Sequence, residues 1–109
     1  RLPELCGPAV APSLLHGDAH VNNVILTNRG PVFIDPAIHF GHPELDLAYL
    51  NVWQPVPDEV FLGYQKDAAI DPGFAGRINL WRIAGWLAVV EADGPRYLDQ
   101  LESAVKPYA

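Results

Sequence analysis

The chain has 109 residues, half of them hydrophobic and 18% charged, with eleven prolines and nine glycines. This composition gives one ordinary domain core and excludes a disordered, coiled-coil or collagen-like chain. Thirteen acids against seven bases leave a formal net charge of −6, which makes nucleic acid and anionic membrane surfaces poor partners.

Proline divides the chain, because eight of the eleven lie in residues 1–57. Short strands and shaped loops are expected in front, and mostly helix behind. Ser13-Leu14-Leu15 is a short apolar run that leads into His16-Gly17-Asp18. Asn23 to Thr27 and Val32 to Ile34 are rich in β-formers and are separated by Asn28-Arg29-Gly30-Pro31, so a β-hairpin is predicted there. Pro36 stops the second strand just after Asp35. Glu44 to Asn51 reads as a short helix, broken by Gln54-Pro55-Val56-Pro57, and Asp58 to Ala69 reads as a second. Asp71-Pro72 has the form of an N-cap with proline at the first helical position. The helix that follows is apolar nearly all round, which predicts burial against several neighbours, and Gly94-Pro95 ends it. Arg96 to Val105 makes a last amphipathic helix through Tyr97, Leu98, Leu101 and Val105. The aromatic side chains of these helices are expected to be core. The fold class is therefore α+β, a hairpin followed by a helical half over residues 57–107.

The remaining features bear on compartment. The single cysteine, Cys6, has no partner for an internal disulfide and reads as a reduced thiol of a cytoplasmic protein. No apolar run approaches the roughly 18 to 20 residues of a membrane span, and no apolar stretch behind Arg1 resembles a signal peptide. The absence of an initiator Met leads us to expect a piece of something longer.

The chemistry concentrates between His16 and Asp46, a window that holds Asp18, Asp35, Glu44, Asp46, all four histidines and one base, Arg29. Acids and histidines gathered between short strands suit metal binding or proton transfer. Asp18 and Asn23 are five residues apart, and Asp35 follows Asn23 by twelve at a strand end. Phosphoryl transfer from ATP needs a carboxylate beside the attacking hydroxyl. It also needs a carboxylate and an amide oxygen on the Mg²⁺ ions that neutralise the phosphates. A hairpin between Asn23 and Asp35 folds these two back beside each other. The protein-kinase catalytic loop has the same Asp-to-Asn spacing, with a metal-binding Asp downstream.

HGDAHVNNV followed by FIDPA resembles the H-G-D-x-H-x-x-N…I-D segment of the aminoglycoside phosphotransferase and choline kinase superfamily. The continuation through Gly41-His42-Pro43-Glu44-Leu45-Asp46-Leu47-Ala48 is similar to the fructosamine kinase (ketosamine-3-kinase) branch, as is Ile70-Asp71-Pro72-Gly73-Phe74. The likeness covers nearly the whole chain and is most specific over residues 14–50. It implies the C-terminal lobe of a protein-kinase-like fold. It also implies Asp18 as catalytic base, Asn23 and Asp35 as Mg²⁺ ligands, and ATP as co-substrate. The implied acceptor is a hydroxyl of a ketosamine on a free or protein amine. By the same resemblance His16 anchors the loop, and Asp46 is a buried helix-start carboxylate that holds it. His20 is a candidate for the substrate side, while His39 and His42 are expected as loop histidines. Glu44 and Asp46 suit a helix's first turn in any case. Val21-Asn22-Asn23 departs from the common small-Gly-Asn of the superfamily and puts a bulkier residue in that turn.

A kinase also needs a Gly-rich loop over the phosphates and a strand lysine paired with a helix glutamate. No G-x-G occurs in the chain, and its two lysines, Lys66 and Lys106, lie in the helical half. The expectation is a partial kinase lobe over residues 1–109, without its ATP-binding lobe and inactive alone. Its uncovered apolar surface would receive the missing lobe or drive self-association. Two other readings compete. One is a metallohydrolase using His16, Asp18 and His20 as a metal cluster, and the other is a non-catalytic binding fragment of kinase ancestry.

Overall fold

A short helix α1 (Leu2–Leu5) precedes strand β1 (Ser13–Leu15), in a computed structural model that describes residues 2–109. β1 pairs antiparallel with β4 (His39–Gly41), Leu14 lying opposite Phe40. Between them, β2 (Val24–Thr27) and β3 (Gly30–Phe33) form the predicted hairpin. Its two-residue turn closes on Thr27, whose hydroxyl donates to the Gly30 carbonyl at 2.7 Å and accepts the Arg29 N–H at 3.1 Å. Gly30 takes φ +109°, a conformation side chains resist. Asn23 lies outside the strand, in a 3₁₀ turn over Val21–Asn23. β4 was not anticipated, and His39 sits on it rather than in a loop. A three-residue strand paired across 26 positions leaves almost no local signal.

Four helices follow: α2 (Glu44–Leu50), α3 (Asp58–Tyr64), α4 (Phe74–Asp93) and α5 (Leu98–Val105). α3 stops five residues before the predicted Ala69. Past Tyr64 the polar run Gln65-Lys66-Asp67 has no apolar face to bury, and tight bonds from Lys66 N–H to Gly63 O and from Asp67 N–H to Tyr64 O end it. The N-cap of α4 is Gly73, without a side-chain cap, rather than the expected Asp71; Asp71 instead closes a turn ahead of the helix. Its Oδ1 accepts the Gly73 N–H at 2.8 Å, and α4 begins at Phe74. A 3₁₀ turn over Pro95–Tyr97 moves the start of α5 from Arg96 to Leu98.

The core is where the aromatic residues predict it. Val52, Trp86 and Ala104 are buried, with Trp53, Ile83, Val89, Tyr97 and Leu101 packed on them. Trp53 meets Trp86 and Tyr97 edge-on, with ring centroids 5.5 and 5.6 Å apart, a favoured aromatic geometry. The apolar girth of α4 is not buried nearly all round as expected. α2 and α5 cover it, while Ala84, Leu87 and Ala88 remain exposed. The strands likewise expose Leu14, Ile25, Leu26, Val32, Phe33 and Phe40, because each two-stranded sheet lacks a covering layer. Among the described residues no helix is long and apolar enough to cross a membrane.

Candidate active site

The loop from His16 to Asn23 links β1 to the hairpin, and its shape is set by hydrogen bonds from three directions. From below, the Asp46 carboxylate in the first turn of α2 accepts the N–H groups of His16 (2.7 Å) and Gly17 (2.9 Å) on separate oxygens. Charge-assisted bonds of this kind are about twice as strong as neutral ones. From the side, His16 Nε2–H donates to the Ile34 carbonyl at 2.9 Å, which leaves Nδ1 to accept the Asp18 N–H at 3.3 Å. Beyond the hairpin, Ala37 N–H donates to the His16 carbonyl at 2.8 Å. Gly17 is required at its position, since φ is +82° and a Cβ there would overlap the Ala37 carbonyl oxygen. Asp46 is half-buried rather than fully buried.

These bonds present Asp18 at the loop's crest. Asn23 Nδ2 donates to the Asp18 carbonyl at 2.8 Å and to its Oδ2 at 3.0 Å, while His20 Nε2 lies 3.2 Å from Oδ1. Both carboxylate oxygens are thereby oriented, although the side chain stays 41% exposed. The 3₁₀ turn over Val21–Asn23 closes despite its bulkier residue, with Asn23 N–H donating to the His20 carbonyl at 2.9 Å. Asn23 itself is buried.

Asp35 approaches from the other hairpin strand. The register sets Val24 opposite Phe33, and Ile34 N–H donates to the Asn23 carbonyl at 2.9 Å. Asn23 and Asp35 thus meet at the hairpin's open end. Asp35 has φ +50°, the one non-glycine residue with positive φ among the described residues, and its carboxylate is exposed. Among the described residues Asn23 makes its side-chain contacts through its amide nitrogen, to Asp18, and not through Oδ1. A carboxylate and an amide oxygen are hard donors of the kind Mg²⁺ prefers.

The proposed His16–Asp18–His20 metal cluster does not assemble. Both His16 ring nitrogens are engaged with backbone, and among the described residues no three His, Cys, Asp or Glu side chains converge as a metal site. His42 lies in the loop between β4 and α2, as expected, and packs there. It stacks on Trp81 at 4.7 Å and accepts the Glu44 N–H on Nδ1 at 3.2 Å.

Beside Asp18 opens a cleft of about 200 Å³ lined by Asp18, His20, Tyr49, Trp53, Val89 and Asp93, among others. Burial, followed by the neighbouring charges of Asp18 and Asp46, raises the Tyr49 phenol above its ordinary value of 10.0, so it faces the cleft as a neutral group. Tyr49, Trp53 and Asp93 escaped the sequence reading, because they are spread over α2, the following loop and the end of α4 and share no local pattern.

A fructosamine kinase family model matches residues 3–108. The chain is 33% identical over 94 residues to a Vibrio parahaemolyticus protein named a probable ketoamine kinase, covering 86% of this chain and 33% of that one. It is 32% identical over 78 residues to mouse ketosamine-3-kinase, covering 72% of this chain and 25% of the mouse protein. Among solved structures it is similar to a Thermobifida fusca protein named for fructosamine-3-kinase. The TM-score is 0.90 at 35% identity, covering 96% of this chain and 37% of that one. The chain therefore spans a third or less of these two curated relatives. With that family model matched over almost every residue, and its motif residues gathered at one end of the hairpin, the chain belongs to the fructosamine kinase family.

Proposed function

We propose that this chain carries the catalytic segment of an ATP-dependent kinase that phosphorylates a hydroxyl of a ketoamine, a sugar joined to an amine. The observation that carries the reading is the Asp18–Asn23 pair, one carboxylate oxygen held by the amide at 3.0 Å at the mouth of the cleft. Asp18 is the base. Its oriented but accessible oxygens take the acceptor's proton as the oxygen attacks the γ-phosphate. His20 and Asn23 keep that carboxylate in place. Asp46 and His16 keep the loop beneath it rigid, which matters because small misplacements of a reacting group are costly. Asn23 Oδ1 and Asp35 are the groups that would hold Mg²⁺, which supplies charge neutralisation of the phosphates when bound. The cleft's aromatic walls and two carboxylates suit an acceptor with a polyol and a cationic nitrogen.

The test is Asp18→Asn in a kinase polypeptide that joins this chain to a nucleotide-binding lobe. Turnover of a fructosamine should fall by about a hundredfold or more, with ATP affinity nearly unchanged. Equal turnover of variant and parent would remove Asp18 from the mechanism.

A further inference from the structure

Below the catalytic loop lies a second polar cluster that touches neither the cleft nor the hairpin end. Glu44, the first residue of α2, is buried with its side chain only 6% exposed. Arg77, in the first turns of α4, donates to it through two nitrogens, Nε to Oε2 at 3.1 Å and Nη2 to Oε1 at 2.7 Å. Trp81, one helical turn further along α4, donates its indole N–H to the same Oε2 at 2.5 Å. Arg77 Nη2 also donates to Asp71 Oδ1 at 2.6 Å, the oxygen that accepts the Gly73 N–H. Two further groups pack against the cluster. His42 stacks on the Trp81 ring, and a Cβ on Gly7 would come within 2.6 Å of the guanidinium carbon. A planar bidentate pair of this kind fixes orientation as well as distance.

Glu44 and Asp46 occupy the same turn of α2. Asp46 is the carboxylate whose two oxygens hold the His16 and Gly17 N–H groups. The position of that turn is therefore set on one side by α4 and read out on the other by the loop that carries Asp18. We infer that the Glu44–Arg77–Trp81 cluster is a positioning device for the catalytic loop, acting through Asp46, so that Arg77 and Trp81 are positioning residues for phosphoryl transfer. The catalytic label rests on the kinase reading above, whereas the mechanical coupling does not. First-turn acids are normally read as complements to a helix dipole. Here Glu44 is instead the anchor of the turn, since its carboxylate is occupied by groups from another helix.

Backbone amide exchange in the full chain tests the coupling without recourse to turnover. Trp81→Phe keeps a ring against His42 and removes only the donor to Glu44, and Arg77→Lys keeps the charge and removes the fork. Each should speed exchange at the His16 and Gly17 amides by about fivefold, while amides of α5 keep their rates. Asp46→Asn should accelerate the same two amides and serves as the reference for a loosened loop. Unchanged exchange at His16 and Gly17 in both variants overturns the proposal. Equal acceleration throughout the chain also overturns it, because that is the signature of a general loss of stability. A failed Asp18→Asn test alongside selective acceleration would leave the coupling standing and remove only its link to phosphoryl transfer.

Discussion

Gly17 is the residue on which the loop geometry turns, because two constraints meet there. Its φ of +82° is costly for any side chain, and the space a Cβ would need is filled by the Ala37 carbonyl. Gly17→Ala should therefore destabilise the chain by at least about 2 kcal/mol, backbone strain and overlap adding together. Urea unfolding checks this, and a change below about 0.5 kcal/mol would mean that the loop can rearrange freely. At this scale the motif was legible. His16, Asp18, Asn23 and Asp46 could be named from spacing and resemblance, since each belongs to a short ordered pattern. The cleft's Tyr49, Trp53 and Asp93 could not, because residues that converge only through packing look, one by one, like core or helix surface.

Between elements, the junction of α2 with α4 makes the strongest energetic statement. Burial alone would raise the Glu44 carboxyl, but hydrogen bonds from Arg77 and Trp81, together with Arg77's charge, hold it below its ordinary 4.5. The stabilisation tied to Glu44 is thus fully present above its unfolded value and lost as pH falls through its lower folded value. The urea midpoint should decline from about pH 5 downward, and Glu44→Gln should flatten that decline. A parallel decline in both proteins would show that other carboxylates dominate. Helix existence was readable from periodicity and proline placement. Helix ends shifted where hydrogen bonding decided them, as with the Asp71 turn ahead of α4 and the polar run that stops α3. Neither the partnership of Glu44 with a base 33 positions away nor the pairing of β1 with β4 leaves a trace in a local window.

Across the whole molecule, two kinds of surface stand apart. The α2–α4–α5 side encloses the aromatic core, while the strand side carries Leu26 and Phe40 at 82% and 72% exposure. The proposed catalytic residues lie where the two meet, Asp18 and His20 lining a cleft with residues of α2 and α4. The chain holds a candidate base and metal ligands, and its sequence has neither a G-x-G turn nor a strand lysine to clamp a nucleotide. We therefore expect no turnover when the chain alone is given ATP, Mg²⁺ and a fructosamine. Phosphorylated product above the no-protein blank would show that these residues suffice. The fold class and the helical rear were legible because burial periodicity is a property of each segment. The incomplete cover of α4 was not, since it depends on which neighbours are present to pack against it.

The left-handed backbone at Asp35 sets stability and chemistry in opposition. At φ +50° a carboxylate-bearing residue is strained where glycine is not. Asp35→Gly should raise the unfolding free energy by about 1 kcal/mol while deleting one of the two proposed magnesium ligands. A more stable yet magnesium-blind variant is the expected outcome of that one change, and a destabilised variant would contradict it. Selection of this chain for thermal endurance alone would then erode its proposed metal site.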